Sequence, residues 1–347
     1  MPECAPENKS ATINDIALAA GVGKATVSLS LNGRGNISAT TRRRILEVAQ
    51  RLNYEPNLQA RSLSNGRSES IVLVSAGMFP GVYAGTIACL QNLLYEQGYE
   101  VPVHGFQAHH FVEPERQESA MRALRQQRPR AVVCHSVNLH PSALQELERY
   151  VREGGILVCY DHPIDLPVDQ VIIDSEGMAY QSTVHLLDLG HREIGYFSSG
   201  LRLPGDRRLE GFCRALRERD IEVRHDWVFD GPPFETGGVL VAEEFLKLKP
   251  RPTGMVIVND VSAGAFINEI GRAGLSVPSD VSVVGHDDAP CASIWQPRLT
   301  TVRHPVEAVA GGVVELLLDR LAGNAAAPRR RVARGELVVR ESSGPPR

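Results

Sequence analysis

The sequence lacks the marks of a secreted or membrane-spanning protein. Its first ten residues, MPECAPENKS, contain no apolar core of a signal peptide, and no run reaches the ~18 apolar residues that a bilayer-crossing helix needs. Its six cysteines are scattered, with no pair at the two-residue gap of zinc ribbons or redox sites. We therefore expect a cytoplasmic protein with no membrane contact, whose cysteines are small buried hydrophobic residues.

Catalytic motifs are also missing. There is no Gly-x-Ser-x-Gly elbow and no His-Glu-x-x-His zinc motif. The segment that ends in Gly23-Lys24 looks like a phosphate-binding loop, but Leu18 stands where that loop has its first glycine and Ala25 where it has a hydroxyl. We expect no catalytic residue, no metal and no cofactor. The hypothesis that the protein is an enzyme is therefore weaker than the two binding functions considered below.

Charge is distributed unevenly along an otherwise ordinary globular composition. The 347 residues, 43% hydrophobic and 22% charged, are enough for two or three domains with full cores. Residues 9–67 carry nine Lys/Arg against three Asp/Glu, a net charge of +6 in a chain whose total is −4. Such a basic segment binds phosphates by releasing counterions, which indicates a polyanion partner. A solvated charged face is the other interpretation.

The basic segment has the pattern of three short helices. Thr12 and Asp15 are spaced as a helix start, and apolar residues then repeat at helical spacing. After a glycine turn at 21–23, a second helix carries Val27 on its apolar face, and a third helix spans about residues 39–52. This is the pattern of a helix-turn-helix, whose second helix enters the major groove of DNA.

These features resemble the LacI–GalR family of bacterial transcriptional regulators, over nearly the whole chain. In the basic segment the resemblance rests on Thr12–Ala17, Ala20–Val22, Ala25–Ser28, Asn32-Gly33, Leu52–Asn57 and Ala60–Leu63. Farther along it rests on His191–Gly195, Arg208–Phe212, Pro278–Asp288 and Pro297–Arg303. It implies a transcriptional repressor that binds a palindromic double-stranded DNA operator. Because one recognition helix covers only a half-site, we expect a homodimer.

The resemblance assigns DNA contacts to ten residues, which are Thr12, Lys24, Ala25, Thr26, Ser28, Leu29, Asn32, Asn57, Ala60 and Leu63. Three of them, Lys24, Ala25 and Leu29, are implied to read bases, and the other residues of that helix chiefly hold phosphates. Leu63 belongs to a hinge helix that would enter the minor groove and wedge into a base step. Without the resemblance, Leu63 is an exposed residue of a flexible tether. Leu29 stands where relatives often have arginine, so the operator sequence stays open.

Beyond residue 70, short apolar runs alternate with amphipathic stretches, which predicts two parallel sheets with helices on both faces. The resemblance gives this α/β effector domain the type I periplasmic-binding-protein fold, two parallel-sheet lobes that follow the small all-α helix-turn-helix domain. The implied domains are 10–56 for DNA binding, 57–69 for the hinge helix and linker, and 70–347 for effector binding and dimerisation. The two lobes are implied to be about 70–164 with 293–322, and about 165–292 with 323–347.

Polar residues end several of the predicted strands, and ligands of doubly wound folds bind beyond the carboxyl ends of strands. The resemblance makes Arg208 and Asp287 the foremost effector ligands. It adds four more residues, which are Tyr83, Asp161, Asp174 and Asn259. An arginine fork beside carboxylates suits a small polar effector, a sugar or sugar derivative. The alternative for each acid is helix capping or loop formation, and for Tyr83 a place in the core.

A binding protein without DNA activity is the second hypothesis. It accounts for the two lobes but leaves the basic segment without a role. The chain after Val339 has no leucine heptads to join dimers into tetramers, which favours a dimer.

Overall fold

Two units make up the chain, Met1–Ser68 and Glu69–Arg347. The computed structural model describes residues 11–31, 35–54, 70–75, 82–105, 113–137, 139–198, 207–232 and 234–347. Among these residues, none of the helices combines the length and apolar character needed to cross a membrane.

The first unit contains the three helices that the sequence predicts, α1 (Ile13–Ala20), α2 (Lys24–Leu31) and α3 (Ala39–Arg51). At the start of α1, the backbone N–H and the hydroxyl of Thr12 donate to one carboxylate oxygen of Asp15, at 2.8 and 2.7 Å. The helix ends at Gly21, whose φ of 61° is left-handed and therefore suits glycine. Ile16, Val27 and Ile45 meet in one small core that ties the three helices together.

The second unit contains two six-stranded sheets, as predicted, each formed by strands distant in sequence. The first sheet has the order β11-β5-β4-β3-β1-β2 and is parallel throughout. Its strands are β1 (Ile71–Ser75), β2 (Val103–Gly105), β3 (Ala131–His135), β4 (Ile156–Asp161), β5 (Asp169–Ile173) and β11 (Arg330–Ala333).

The second sheet has the order β12-β10-β9-β8-β6-β7 and is parallel except at β12, which runs antiparallel to β10. Its strands are β6 (Ile194–Ser198), β7 (Val228–Asp230), β8 (Gly254–Ile257), β9 (Ser282–Asp287), β10 (Thr300–Arg303) and β12 (Glu336–Val338).

Helices connect the parallel strands and cover the sheets. Those of the first lobe are α4 (Val82–Glu96), α5 (Pro114–Gln126), α6 (Pro141–Arg152) and α11 (Val306–Leu321). Those of the second lobe are α7 (Ser175–Asp188), α8 (Arg207–Arg217), α9 (Phe234–Lys247) and α10 (Asp260–Arg272). Each lobe has apolar core residues on both sides of its sheet, and Met178 and Val302 of the second lobe also join the core of the first.

The predicted lobe boundaries are wrong by about ten residues at each crossing. The strand at 169–173, assigned to the second lobe, pairs with β4 of the first sheet, and the strand at 300–303, assigned to the first lobe, pairs with β9 of the second. The tail was placed wholly in the second lobe, but β11 pairs with β5. Strand pairing decides which lobe a strand belongs to, because the buried residues of a paired strand, such as Val171 and Ile173 of β5, pack into the core of that lobe. The chain therefore passes between the lobes near residues 174, 304 and 335.

Ser30 is a buried polar residue in the core of the first unit. Its side chain is 3% exposed, and its hydroxyl has no hydrogen-bond partner within the described part of the chain. We expect Ser30→Ala to stabilise this unit by about 1 kcal/mol, because it removes a buried unsatisfied hydroxyl and raises helix propensity. Native-state hydrogen exchange of buried α3 amides such as Ile45 measures this gain in the full chain.

The matched control for this prediction is Ser38, the N-cap of α3. Its hydroxyl accepts the Thr41 backbone N–H at 3.2 Å. Ser38→Ala should reduce protection of the same amides by about 1 kcal/mol. Reduced protection in Ser30→Ala would contradict the interpretation that its hydroxyl is a cost to folding.

Candidate DNA interface and effector site

The exposed face of α2 carries the three residues predicted to read bases. Lys24, Ala25 and Leu29 are exposed, whereas Val27 and Ser30 on the opposite face are buried. Thr26 and Ser28, predicted to hold phosphates, are half-buried beside that face. The fold thus leaves this side of the helix open to a partner.

The remaining predicted DNA contacts are distributed differently. The Thr12 hydroxyl already donates to Asp15 in the cap of α1. Asn32, Asn57, Ala60 and Leu63 lie outside the described residues, as does the whole segment 57–69. Their DNA-contacting roles stay predictions.

Asp161 ends β4 in the first lobe and is held by two histidines. His135 Nε2, at the end of the neighbouring strand β3, lies 2.7 Å from one carboxylate oxygen, and His162 Nδ1 lies 2.9 Å from the other. Burial opposes ionisation, but these two hydrogen bonds hold the pKa of Asp161 well below its usual range. The carboxylate is therefore charged, and His135 uses Nε2–H to donate to it.

Aromatic rings surround this pair. The Tyr83 ring, in the first turn of α4, lies 4.8 Å from the His135 ring and 6.5 Å from the His304 ring, and His135 stacks on Tyr160 at 5.0 Å. Nδ1 of His135 and Nδ1 of His304 are buried without a hydrogen-bond partner in the described structure. Buried ring nitrogens of this kind are available to a ligand that enters beside Tyr83.

The second lobe contributes Arg208 from α8 and Asp287 from the end of β9. The pKa of Asp287 is raised to about 7, chiefly because the group is buried. The positive charge of Arg208 lowers this pKa, and the negative charge of Asp161 raises it further. Burial likewise raises the pKa of the Tyr83 phenol, with Asp161 and Asp287 adding to it, so Tyr83 stays a hydrogen-bond donor. Tyr83, Asp161, Arg208 and Asp287, all predicted from sequence, therefore lie close enough to shift one another's pKa values.

Backbone strain marks the same two acids. Asp161 and Asp287 have φ values of 88° and 112°, and Asp288 has 55°. Non-glycine residues seldom occupy this region, and such strain is concentrated at ligand sites. Behind them, buried Asp260 accepts the Ala289 N–H at 2.7 Å and the Thr301 hydroxyl at 2.6 Å. These bonds fix the loop that follows Asp287.

Asp174 and Asn259 have another role in this structure. The Asp174 carboxylate accepts the Gly177 N–H at 2.9 Å and caps α7, and the Asn259 side chain accepts the Ser262 N–H at 2.8 Å and caps α10. These contacts correspond to the capping alternative, and a part in effector binding stays a prediction for both residues.

Sequence reasoning missed three histidines of the site. His135 is the last residue of β3, His162 follows β4 and His304 follows β10. Burial lowers the pKa of His304 to about 4, so this ring is neutral near pH 7. Their position at or just after the ends of strands is the signal in the sequence that points to them.

Two family models match the chain. The model for bacterial regulatory proteins of the lacI family covers residues 12–57, and one for a periplasmic binding protein-like domain covers 183–343. The HTH-type transcriptional repressor PurR of Aliivibrio salmonicida is 30% identical over 313 residues, which are 90% of this chain and 92% of that protein. The chain belongs to the LacI family.

Other similarities of this LacI family member span its full length. PurR of Mannheimia succiniciproducens is 28% identical over 96% of this chain and 98% of its own. A lac repressor dimer bound to operator and the anti-inducer ONPF has a TM-score of 0.83 and 25% identity, over 97% of this chain and all of that one. A complex of the regulator CelR with cellobiose has a TM-score of 0.72 and 28% identity, over 96% and 99%. The predicted fold class and family are thereby confirmed.

Asp287 should lower the stability of the ligand-free protein at neutral pH. Its pKa rises from about 3.9 in the unfolded chain to about 7 in the folded one, so folding becomes less favourable as pH rises from 4 to 7 and stays so above 7. We expect Asp287→Asn to raise the melting temperature at pH 8 by an amount equivalent to about 4 kcal/mol, and by less at pH 5. Differential scanning calorimetry at both pH values measures this.

Asp165→Asn, which changes an exposed aspartate, is the control and should leave the melting temperature nearly constant at both pH values. An Asp287→Asn protein no more stable than wild type at pH 8 would show that the carboxylate is not held unfavourably in the cleft.

Proposed function

We propose that the protein is a repressor whose operator affinity is controlled by an uncharged sugar or sugar derivative bound between the lobes. One observation carries the proposal. Acceptors and donors from both lobes converge there beside aromatic rings, namely Asp161 and His135 from the first lobe and Arg208 and Asp287 from the second. Sugar hydroxyls need such mixed partners, and sugar C–H faces pack on rings such as Tyr83.

The charge of the cleft argues against an anionic effector. Among the described residues, Asp161 and Asp287 act on Arg208 and raise its pKa against the effect of burial, and Asp287 itself is about half ionised near pH 7. Within the described part of the site, a carboxylate or phosphate on the ligand would meet an arginine that already faces two acids. Hydroxyl groups can donate to Asp161 and Asp287 and accept from Arg208 without adding charge.

Binding in the cleft can control DNA affinity only if the effector prefers one arrangement of the lobes. The proposed link to α2 is the segment 57–69, which pairs with its copy in a dimer on the operator. Ser62, Ser64, Asn65 and Gly66 make it a poor autonomous helix, so its folding depends on that pairing. The lobe arrangement would set the separation of the two linkers. The proposed domains are therefore 10–56, 57–69 and 70–347.

Arg208→Ala should abolish the effector response and leave ligand-free operator affinity within about twofold, because it removes the guanidinium from the cleft alone. A thermal-shift screen of sugars, sugar acids and nucleobases identifies the ligand, since saturation at 100 times Kd stabilises the native state by about 2.7 kcal/mol. Fluorescence anisotropy then measures operator affinity with and without it. A full response in Arg208→Ala would place the effector elsewhere.

Two further variants test effector binding and operator binding separately. Arg207→Ala changes the neighbouring exposed arginine, which pairs with Glu176 at 3.3 Å, and should respond like wild type. Leu63→Ala should weaken operator binding and reduce the DNA bend, while ligand affinity of the free protein stays constant. If Leu63→Ala binds and bends the operator normally, the intercalating role of Leu63 is wrong.

We also propose that the protein is a homodimer. A twofold pair is required to present two copies of α2 to a palindromic operator. The dimeric lac repressor structure, to which the chain is similar over its full length, supports this assembly. Light scattering of the full chain should give twice the 37.9 kDa chain mass, and a four-subunit mass would contradict it.

A further inference from the structure

We infer that the DNA-facing side of α2 recognises thymine methyl groups, with Leu29 and Ala25 as the apolar contacts. This inference rests on the proposed function, in which α2 lies in the major groove. It adds the chemistry of the base edges that the helix selects.

Leu29 is an exposed apolar side chain in the middle of α2. Its exposed fraction is 43%, although Leu is most often buried in small cores. Ala25, also exposed, precedes it by four residues, so the two side chains are neighbours on one helix face. Lys24 is the charged side chain at the first position of this helix. This side of α2 is therefore apolar over one helical turn, and Lys24 lies at the N-terminal end of that turn.

Packing fixes the position of the leucine. A Cβ added at Gly35 would lie 3.3 Å from Leu29 Cδ1 and 3.4 Å from its Cβ, so the side chain rests against the backbone before α3. Gly35 has a φ of 79°, which favours glycine there and leaves room for the leucine. Leu29 therefore packs on one side against Gly35 and exposes the rest of its side chain.

The major groove offers such a contact one apolar partner among the standard bases. Guanine, adenine and cytosine present hydrogen-bonding atoms there, whereas thymine adds a C5-methyl group. A leucine placed against a polar base edge removes water from hydrogen-bonding groups without replacing their partners, which costs free energy. A leucine placed against thymine buries the C5-methyl group, which is favourable. Ala25 and Leu29 are about 6 Å apart along the helix, close to two base-pair steps. Thymines two base-pair steps apart in one half-site would satisfy both.

Replacement of thymine by deoxyuracil removes the methyl group alone. The full-length protein is first used to enrich sites from a random-sequence duplex library, and each thymine of the tightest site is then replaced in turn. At the thymine that Leu29 contacts, we expect deoxyuracil to weaken binding about fourfold in one half-site, or about 15-fold when both half-sites are changed. A second sensitive thymine in the same half-site would be the contact of Ala25. Leu29→Ala should bind the thymine and deoxyuracil forms equally, and Leu29→Met should retain most of the discrimination.

Leu18→Ala is the matched control, since Leu18 on α1 is 87% exposed and lies on a different helix. It should discriminate thymine from deoxyuracil as wild type does. The inference is overturned if no thymine is sensitive, or if Leu29→Ala keeps the wild-type ratio at every position. If the library yields an enriched sequence, the proposed repressor function stands even when one of these two results overturns the inference about thymine. Absence of any enriched sequence, with no salt-dependent binding of bulk DNA, would overturn that function and this inference together.

Discussion

The buried, ionised Asp161 carboxylate is the group on which the cleft most depends. Two histidine hydrogen bonds keep it charged, and its charge acts on groups of both lobes. It adds to the effect of burial on the pKa of Tyr83 and of Asp287, and it raises the pKa of Arg208. It accepts from His135 Nε2, and the ring of that histidine lies 4.8 Å from the Tyr83 ring. One buried carboxylate therefore acts on ionisable groups that come from both lobes.

The same site is built into the passages between the lobes. His304 lies where the chain leaves β10 for α11, and its backbone N–H donates to the Asp287 carbonyl at 3.1 Å. At the other two passages, the Asp174 N–H donates to Ala333 O at 2.9 Å, and Arg334 Nε lies 3.8 Å from the Asp174 carboxylate. A ligand that contacts His304 and Asp287 acts directly on a connection between the lobes. Its differential affinity for two lobe arrangements can therefore be large with few contacts.

Local patterns in the sequence predicted local structure well, and failed where distant strands decide. The Thr12 and Asp15 spacing, the glycine turn and the buried Val27 follow from neighbours in sequence, and the structure has all three. The lobe boundaries depend on the partner of β5 and of β10, which periodicity does not encode. The same limit applies to the site. Arg208 and Asp287 were found through a motif, but His135 acquires its role only because β3 lies beside β4.

Helix α2 places a polar residue toward the core and an apolar residue toward solvent. A helix that serves only to stabilise a small core would place apolar residues inward, but α2 buries Ser30 and exposes Leu29. The inward serine weakens the core, and the outward leucine gains only part of its possible apolar burial from folding alone. A partner that covers the exposed face would return the missing apolar burial, so the free energy absent from the isolated unit becomes available on binding. The helix is better matched to an occupied groove than to water.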